Sequence, residues 1–212
     1  AAVRRHTNEA PHTGLLSPEL AAGIGRVKGA KRVGVRLGNW LSADEVKQLL
    51  RSPDLDILKG KRDRAIMAVL AGCGLRPSEV AQLAVSDIQK RDERWVIVDL
   101  YGKGGHIRTV PVPEWVKTAI DCWTTAARVT SGRIFRCVSK TETVWGEGVS
   151  EKVIWCVVKK FASKAQLGNL APHDLRRTCA RLCHLAGGEL EQIQFLLGHV
   201  SVQTTEKYLG CK

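Results

Sequence analysis

Arg94-Trp95-Val96-Ile97-Val98-Asp99-Leu100, then Gly102-Lys103-Gly104-Gly105, then His106-Ile107-Arg108-Thr109-Val110-Pro111-Val112 is the stretch that decides the fold class. Two runs rich in β-branched and aromatic residues flank a glycine-rich tip, which is the pattern of an antiparallel hairpin. The neighbouring segments read as helix. Upstream, Leu41-Ser42-Ala43-Asp44-Glu45-Val46 carries a capping box in Ser42 and Glu45, with Leu41 placed to staple onto Val46. A mostly apolar helix follows over Arg64 to Ala71, closed by Gly72 and Gly74, and Pro77 opens a third running to about Leu83. Downstream, Pro113 starts a helix through about Arg128. Ser150 caps another, in which Val153, Ile154, Val157, Val158 and Phe161 form one apolar stripe that we assign to the core. After Pro172 come three short helices, separated by Gly187-Gly188 and by Gly198 and ending at Tyr208. The expected class is α+β, mainly α-helical, with a small antiparallel hairpin at one edge.

Bulk composition narrows the partners. The 212 residues carry a formal charge of +12, which points to a polyanion, nucleic acid ahead of a membrane surface, with a merely solvated basic surface as the plain alternative. The longest apolar run, Ala65 to Ala71, falls well short of the ~20 residues a membrane-crossing helix needs, so no membrane role is expected. The N-terminus lacks the apolar stretch of a secretory signal. Seven scattered cysteines without a C-x-x-C pair suit reduced thiols, read as mostly small core residues, better than a disulfide framework or a zinc site. From Ala1 to about Asn39, seven basic residues (Arg4, Arg5, Arg26, Lys28, Lys31, Arg32, Arg36) face two acids (Glu9, Glu19). A short helix is expected from Ser17-Pro18-Glu19, followed by a glycine-interrupted basic linker able to track a phosphate backbone.

Four short motifs could carry chemistry, and each has an ordinary structural explanation. His173-Asp174-Leu175-Arg176 puts His173 and Arg176 on one face at a helix start; alone it is a weak signal that reads as a capping histidine beside a surface arginine. In Leu197-Gly198-His199-Val200-Ser201-Val202-Gln203-Thr204-Thr205-Glu206-Lys207-Tyr208, Gly198 ends one helix and Ser201 can cap the next, so Tyr208 stands a fixed distance from His199. A tyrosine near a chain end is commonly just a packed ring with a wet hydroxyl. In Gly72-Cys73-Gly74-Leu75-Arg76-Pro77-Ser78-Glu79-Val80, Pro77 forces Arg76 toward extended geometry and Glu79 can hold it, or the two form a weak surface ion pair. Lys103, at the hairpin tip, is on its own a solubilising loop charge.

Taken in order, G-C-G-L-R-P-S-E, G-K-G-G-H-I-R-T-V-P-V-P, H-D-L-R-R-T and L-G-H-V-S-V-Q-T-T-E-K-Y closely resemble the tyrosine recombinases, the family of phage integrases and Xer-type resolvases. The resemblance covers roughly Leu41 to Leu209. It implies a site of Arg76, Glu79, Lys103, His173, Arg176, His199 and the nucleophile Tyr208, on a catalytic domain over 40–212. Residues 1–39 then become a basic remnant of, and linker from, a missing core-binding domain. DNA contacts are expected from Arg26, Lys28, Lys31, Arg32, Arg36 and Arg177. The implied activity is site-specific recombination of double-stranded DNA through a 3′-phosphotyrosine intermediate, with no cofactor and no metal. The implied location is the cytoplasm, in association with the nucleoid. The full-length protein is expected to form a tetramer on DNA, whereas a fragment of this length, ending four residues after Tyr208, leaves a monomer open. Two alternatives remain: a non-catalytic DNA-binding accessory factor, and type IB topoisomerase-like relaxation of DNA.

The residue types suit the implied reaction. A phosphodiester repels nucleophiles, so two guanidiniums, Arg76 and Arg176, that grip its non-bridging oxygens lower the electrostatic barrier. Tyrosine titrates near ~10 and needs help to lose its proton, a role read onto His173. The departing 5′ oxygen needs an acid, which the resemblance places at Lys103. His199 would donate to the phosphate and Glu79 would support Arg76.

Overall fold

The computed structural model describes Ser17, residues 39–102 and residues 107–210, apart from the side chain of Lys207. Lys103 and the basic residues Arg26, Lys28, Lys31, Arg32 and Arg36 lie outside the described residues, as does the helix expected after Ser17. From Asn39 onward the described chain belongs to one compact unit, Leu37–Lys212.

Eight helices are described: α1 Ala43–Arg51, α2 Leu58–Gly72, α3 Pro77–Gln82, α4 Glu114–Ala127, α5 Glu151–Lys164, α6 Pro172–Leu185, α7 Leu190–Leu197 and α8 Val202–Leu209. Between α3 and α4 lies a three-stranded antiparallel sheet, β1 Ile88–Arg91, β2 Arg94–Tyr101 and β3 Ile107–Pro111; a two-stranded ladder, β4 Cys137–Val138 with β5 Val144–Trp145, precedes α5. The mainly helical α+β class is as expected.

The expected hairpin has a third strand, β1. Its sequence, Ile-Gln-Lys-Arg, shows almost no apolar alternation, and its turn uses Asp92 and Glu93, both at positive φ, where Asn-Gly is the usual signal. The apolar helix starts at Leu58, a turn and a half before the expected Arg64. Its charged first half is hidden in the sequence pattern because Arg62 and Asp63 are buried as a pair, 2.7 Å apart. Pro113 takes the N-cap of α4, and Arg128, with left-handed φ of 53°, closes that helix. Ser42 and Glu45 form the expected box: Glu45 accepts the Ser42 N–H at 2.7 Å and Ser42 Oγ accepts the Glu45 N–H at 3.2 Å. Ser201 stands at the N-cap of α8, but its hydroxyl meets Thr204 Oγ1 at 3.1 Å and makes no cap hydrogen bond. Of the six described cysteines, Cys73 and Cys179 are buried and half-buried Cys137 and Cys183 pack against the two core clusters, whereas Cys156 is exposed.

Helix α2 is the hub. Buried from Ala65 through Ala71, it packs on α1, α3, α4, α5 and α6, which explains an apolar run with no polar face. The sheet covers one edge. Along β3, Arg108 and Val110 face inward, while Ile107, Thr109 and Pro111 face out. Opposite them β2 bulges between Ile97 and Leu100, with Asp99 at φ 50°, so both Ile97 and Leu100 point inward, paired with Val110 and Arg108. The C-terminal helices α7 and α8 close on α6 through a separate small cluster, Ala180, Ile193, Leu197 and Leu209.

Candidate active site

Arg76 is the N-cap of α3, held at φ −75° and ψ 153° because Pro77 bars the helical region for the residue before it. Three residues on, Glu79 turns back and accepts the Arg76 N–H at 2.7 Å through Oε2. Its other oxygen takes Arg76 Nη1 at 2.8 Å. From β3, Arg108 approaches the same carboxylate in a fork, Nη1 to Oε1 at 3.0 Å and Nη2 to Oε2 at 2.9 Å. Arg176 Nη1 stands 4.0 Å from Oε2. Glu79 is only 6% exposed. Burial, the largest single influence, pushes its carboxyl up, yet the hydrogen bonds and charges of Arg108 and Arg76 together outweigh it and hold Glu79 below its ordinary range.

The three guanidiniums also meet at one helix end. Arg108 Nε donates to the carbonyl of Leu196 at 3.1 Å, Arg176 Nη2 to that of Leu197, and Arg76 Nη2 reaches that of Gly198 at 3.4 Å. These oxygens close α7, where helical carbonyls lack partners and the dipole is negative. Arg176 Nη1 additionally donates to Gly74 O, so this one side chain ties the approach to α3 to the end of α7. Burial first, and then the charge of Arg76, lower its pKa to about 10.

Tyr208, on α8, donates from Oη to the main-chain carbonyl of His173 at 3.2 Å. The exposed His173 ring follows Pro172 in the first turn of α6, where Asp174 accepts the Ala171 N–H at 2.9 Å. The His199 ring meets the Tyr208 ring edge-on, centroids 5.1 Å apart at 79°. The Arg177 guanidinium lies 5.0 Å from the same ring, and its Nε is buried without a hydrogen-bond partner. Burial raises the Tyr208 pKa, while the charges of Arg176 and Arg177 pull the other way. His199 Nδ1 is 3.1 Å from the hydroxyl of buried Thr205. Burial, then the charges of Arg176, Arg76 and Arg108, lower the pKa of His199 to about 4, so the ring is neutral at pH 7.

The structure thus gathers Arg76, Glu79, Arg176, His199, Tyr208, Arg177 and the backbone of His173 around one locus. Arg108 is the member that sequence reasoning missed. A signal existed: an arginine in phase with Val110 and Val112 on the inward face of a strand.

The model of the phage integrase family matches residues 39–211, the whole of this arrangement. The chain belongs to the phage integrase family. It is 32% identical over 178 residues to the tyrosine recombinase XerD of Staphylococcus epidermidis, covering 82% of this chain and 58% of that protein. It therefore spans about three fifths of the length of the curated relatives it matches. Among solved structures, the crystal structure of XerA recombinase aligns with 98% of this integrase-family chain and 76% of its own at 25% identity, TM-score 0.66. The post-cleavage complex of XerH with its palindromic difH substrate shares the fold at TM-score 0.69, 22% identity, over 85% of this chain and 52% of its own. Among the described residues, no helix is long and apolar enough to cross a membrane.

Proposed function

We propose that this chain carries the strand-cutting and rejoining chemistry of a site-specific DNA recombinase, with Tyr208 as nucleophile. The observation that carries the reading is the convergence of Tyr208, His199 and Arg176 with the Glu79-anchored Arg76 on one locus of a phage integrase fold. The Tyr208 oxygen attacks a DNA phosphorus, the bond to the 5′ oxygen breaks, and that oxygen leaves with a proton. The product is a 3′-phosphotyrosine that a 5′ hydroxyl can reverse. Because one phosphoester replaces another, no nucleotide hydrolysis is needed.

Each residue has a task. Arg76 and Arg176 supply fixed positive charge to the phosphate and to the extra charge of its transition state. With Thr205 donating to Nδ1, we assign the His199 proton to Nε2, making a neutral donor for a phosphate oxygen. Raised by burial, the Tyr208 hydroxyl stays protonated at neutral pH until a base takes its proton, and His173, whose main-chain carbonyl accepts from that hydroxyl, is the proposed base. Lys103 is the proposed acid for the leaving oxygen. Arg177, with Arg26, Lys28, Lys31, Arg32 and Arg36, would contact double-stranded DNA; the fuller assembly is a tetramer on DNA, acting in the cytoplasm at the nucleoid. XerD relatives and the intact residue set favour this reading over an accessory factor or a relaxing topoisomerase.

The test uses a pool of nicked duplexes with a randomised central segment, incubated with the protein and resolved under denaturing conditions. A covalent protein–DNA adduct that disappears in Tyr208→Phe is the expected result. A pool that yields no adduct refutes the proposal.

A further inference from the structure

Arg108 is not among the residues assigned a role above, and its surroundings are unusual for a strand arginine. It shares the inward face of β3 with Val110, ahead of buried Val112, where a third apolar side chain would complete the sheet's core face. Burying an ion pair is often no better than filling the same space with hydrocarbon, so stability alone does not explain a guanidinium here. All three of its nitrogens are used: Nε on Leu196 O, Nη1 and Nη2 on the two oxygens of Glu79. Arg76 differs. Only Nη1 bonds Glu79, Nη2 has a 3.4 Å contact to Gly198 O, and its side chain is 23% exposed against 8% for Arg108.

Charge accounting gives the asymmetry a meaning. One carboxylate faces three guanidiniums, Arg76, Arg108 and Arg176. Remove Arg108 and the counterions left to Glu79 are Arg176, at 4.0 Å, and Arg76, which is hydrogen-bonded at 2.8 Å and is the more accessible arm of the clamp. We infer that Arg108 is a positioning residue that neutralises Glu79 from behind, so that the charge and outer donors of Arg76 remain available to the scissile phosphate. The inference deepens the proposed recombinase reading and rests on it.

The variants Arg108→Met, Arg108→Lys and the neutral pair Glu79→Gln with Arg108→Met distinguish this from a packing role. On a nicked duplex recovered from the randomised pool, Arg108→Met is expected to slow single-turnover cleavage at saturating protein by about 100-fold, the scale of losing one preorganised phosphate donor. The half-saturating protein concentration should move less than about threefold. Adding Glu79→Gln should recover at least about tenfold, because an amide needs no counter-charge, and Arg108→Lys should stay within about tenfold of wild type. A double variant no faster than Arg108→Met at equal melting temperature overturns the inference, as does wild-type cleavage by Arg108→Met. If Arg108→Met melts below the assay temperature, a 100-fold loss in a well-folded Arg108→Lys or double variant overturns it equally.

A second readout needs no cleavage. Binding of a mixed-sequence duplex across a NaCl series should lose about one unit of salt slope in Arg108→Met and regain it in the double variant. An unchanged slope in Arg108→Met refutes the Arg108 role. Absence of any wild-type adduct counts against the recombinase reading and leaves this binding result standing.

Discussion

The two halves of the site are built differently. The arginine half is set in the main core: Glu79 and Arg176 are buried beside Leu75 and Val80, and every donor–acceptor pair around the carboxylate is already made. The tyrosine half rides on α7 and α8, whose buried apolar anchorage is Ala180, Ile193, Leu197 and Leu209, while nearby Phe195 and Val200 stand 76% and 79% exposed. Besides that small cluster it is held by half-buried Leu196, which packs against the main core, and by the arginine bonds to the last carbonyls of α7. Fixed charge is therefore in place before DNA arrives, and the nucleophile sits on the part with the least hydrophobic support, where local opening is easiest.

The harshest way to break this contrast is Arg176→Ala, which removes the buried guanidinium that joins Gly74 O to Leu197 O. Cleavage should fall about 1000-fold or more, and amide exchange over α7 and α8 should rise. Retained protection there would mean that the apolar contacts and the bonds from Arg76 and Arg108 seat the tyrosine without Arg176. Next in size is a pair of truncations. Leu75→Ala, in the main core, should lower global stability by about 2–5 kcal/mol. Leu209→Ala should leave the main melting transition within about 1 kcal/mol of wild type and show its effect as faster exchange in α7 and α8. Equal losses in both would make the halves one cooperative unit.

Acid should sharpen the contrast more gently. His199 titrates near pH 4 in the folded chain and near 6.5 when unfolded, so the unfolded state binds the extra proton between those values. Stability is then complete above pH 6.5 and declines as pH falls toward 4, by less than the ~1.4 kcal/mol per pH unit of one proton, because the ring is partly solvated. Glu79, lowered from its ordinary 4.5, adds a loss in the same direction at still lower pH. Chemical denaturation at several pH values reads the decline, and His199→Gln should flatten its upper part. The smallest effect belongs to a residue with no bond to either half: Ser42→Ala removes the α1 cap at about 1 kcal/mol and leaves cleavage unchanged.

The legible parts were those where a residue's own backbone preference does the work. Arg76 is extended because Pro77 follows it, Glu79 closes the first turn, and Gly198 stops α7, all visible as letters. Arg108 keeps the regular alternation of β3, so its inward face was legible; what was hidden is its partner, because Glu79 lies 29 positions away on another element. Strand β1 was hidden because its pairing depends on β2 and owes little to its own apolar residues. Tyr208 was expected to find the His173 ring and meets its carbonyl oxygen; the arginines likewise settle on the carbonyls of Leu196, Leu197 and Gly198. Main-chain acceptors have no letter of their own, so half of this site's wiring is silent in the sequence.

Gly198 gives that wiring an evolutionary signature. Its φ of 60° already favours glycine, and a Cβ there would also press on Arg108 Cδ and Nη1, both at 3.1 Å. The missing methyl is thus shaped around a residue ninety positions earlier in the chain. Across the family, positions 108 and 198 should covary: chains that keep the strand arginine should hold glycine, and chains that lose it should admit asparagine, which tolerates the left-handed backbone, after α7. An alignment can look for that coupling without any knowledge of the DNA being cut.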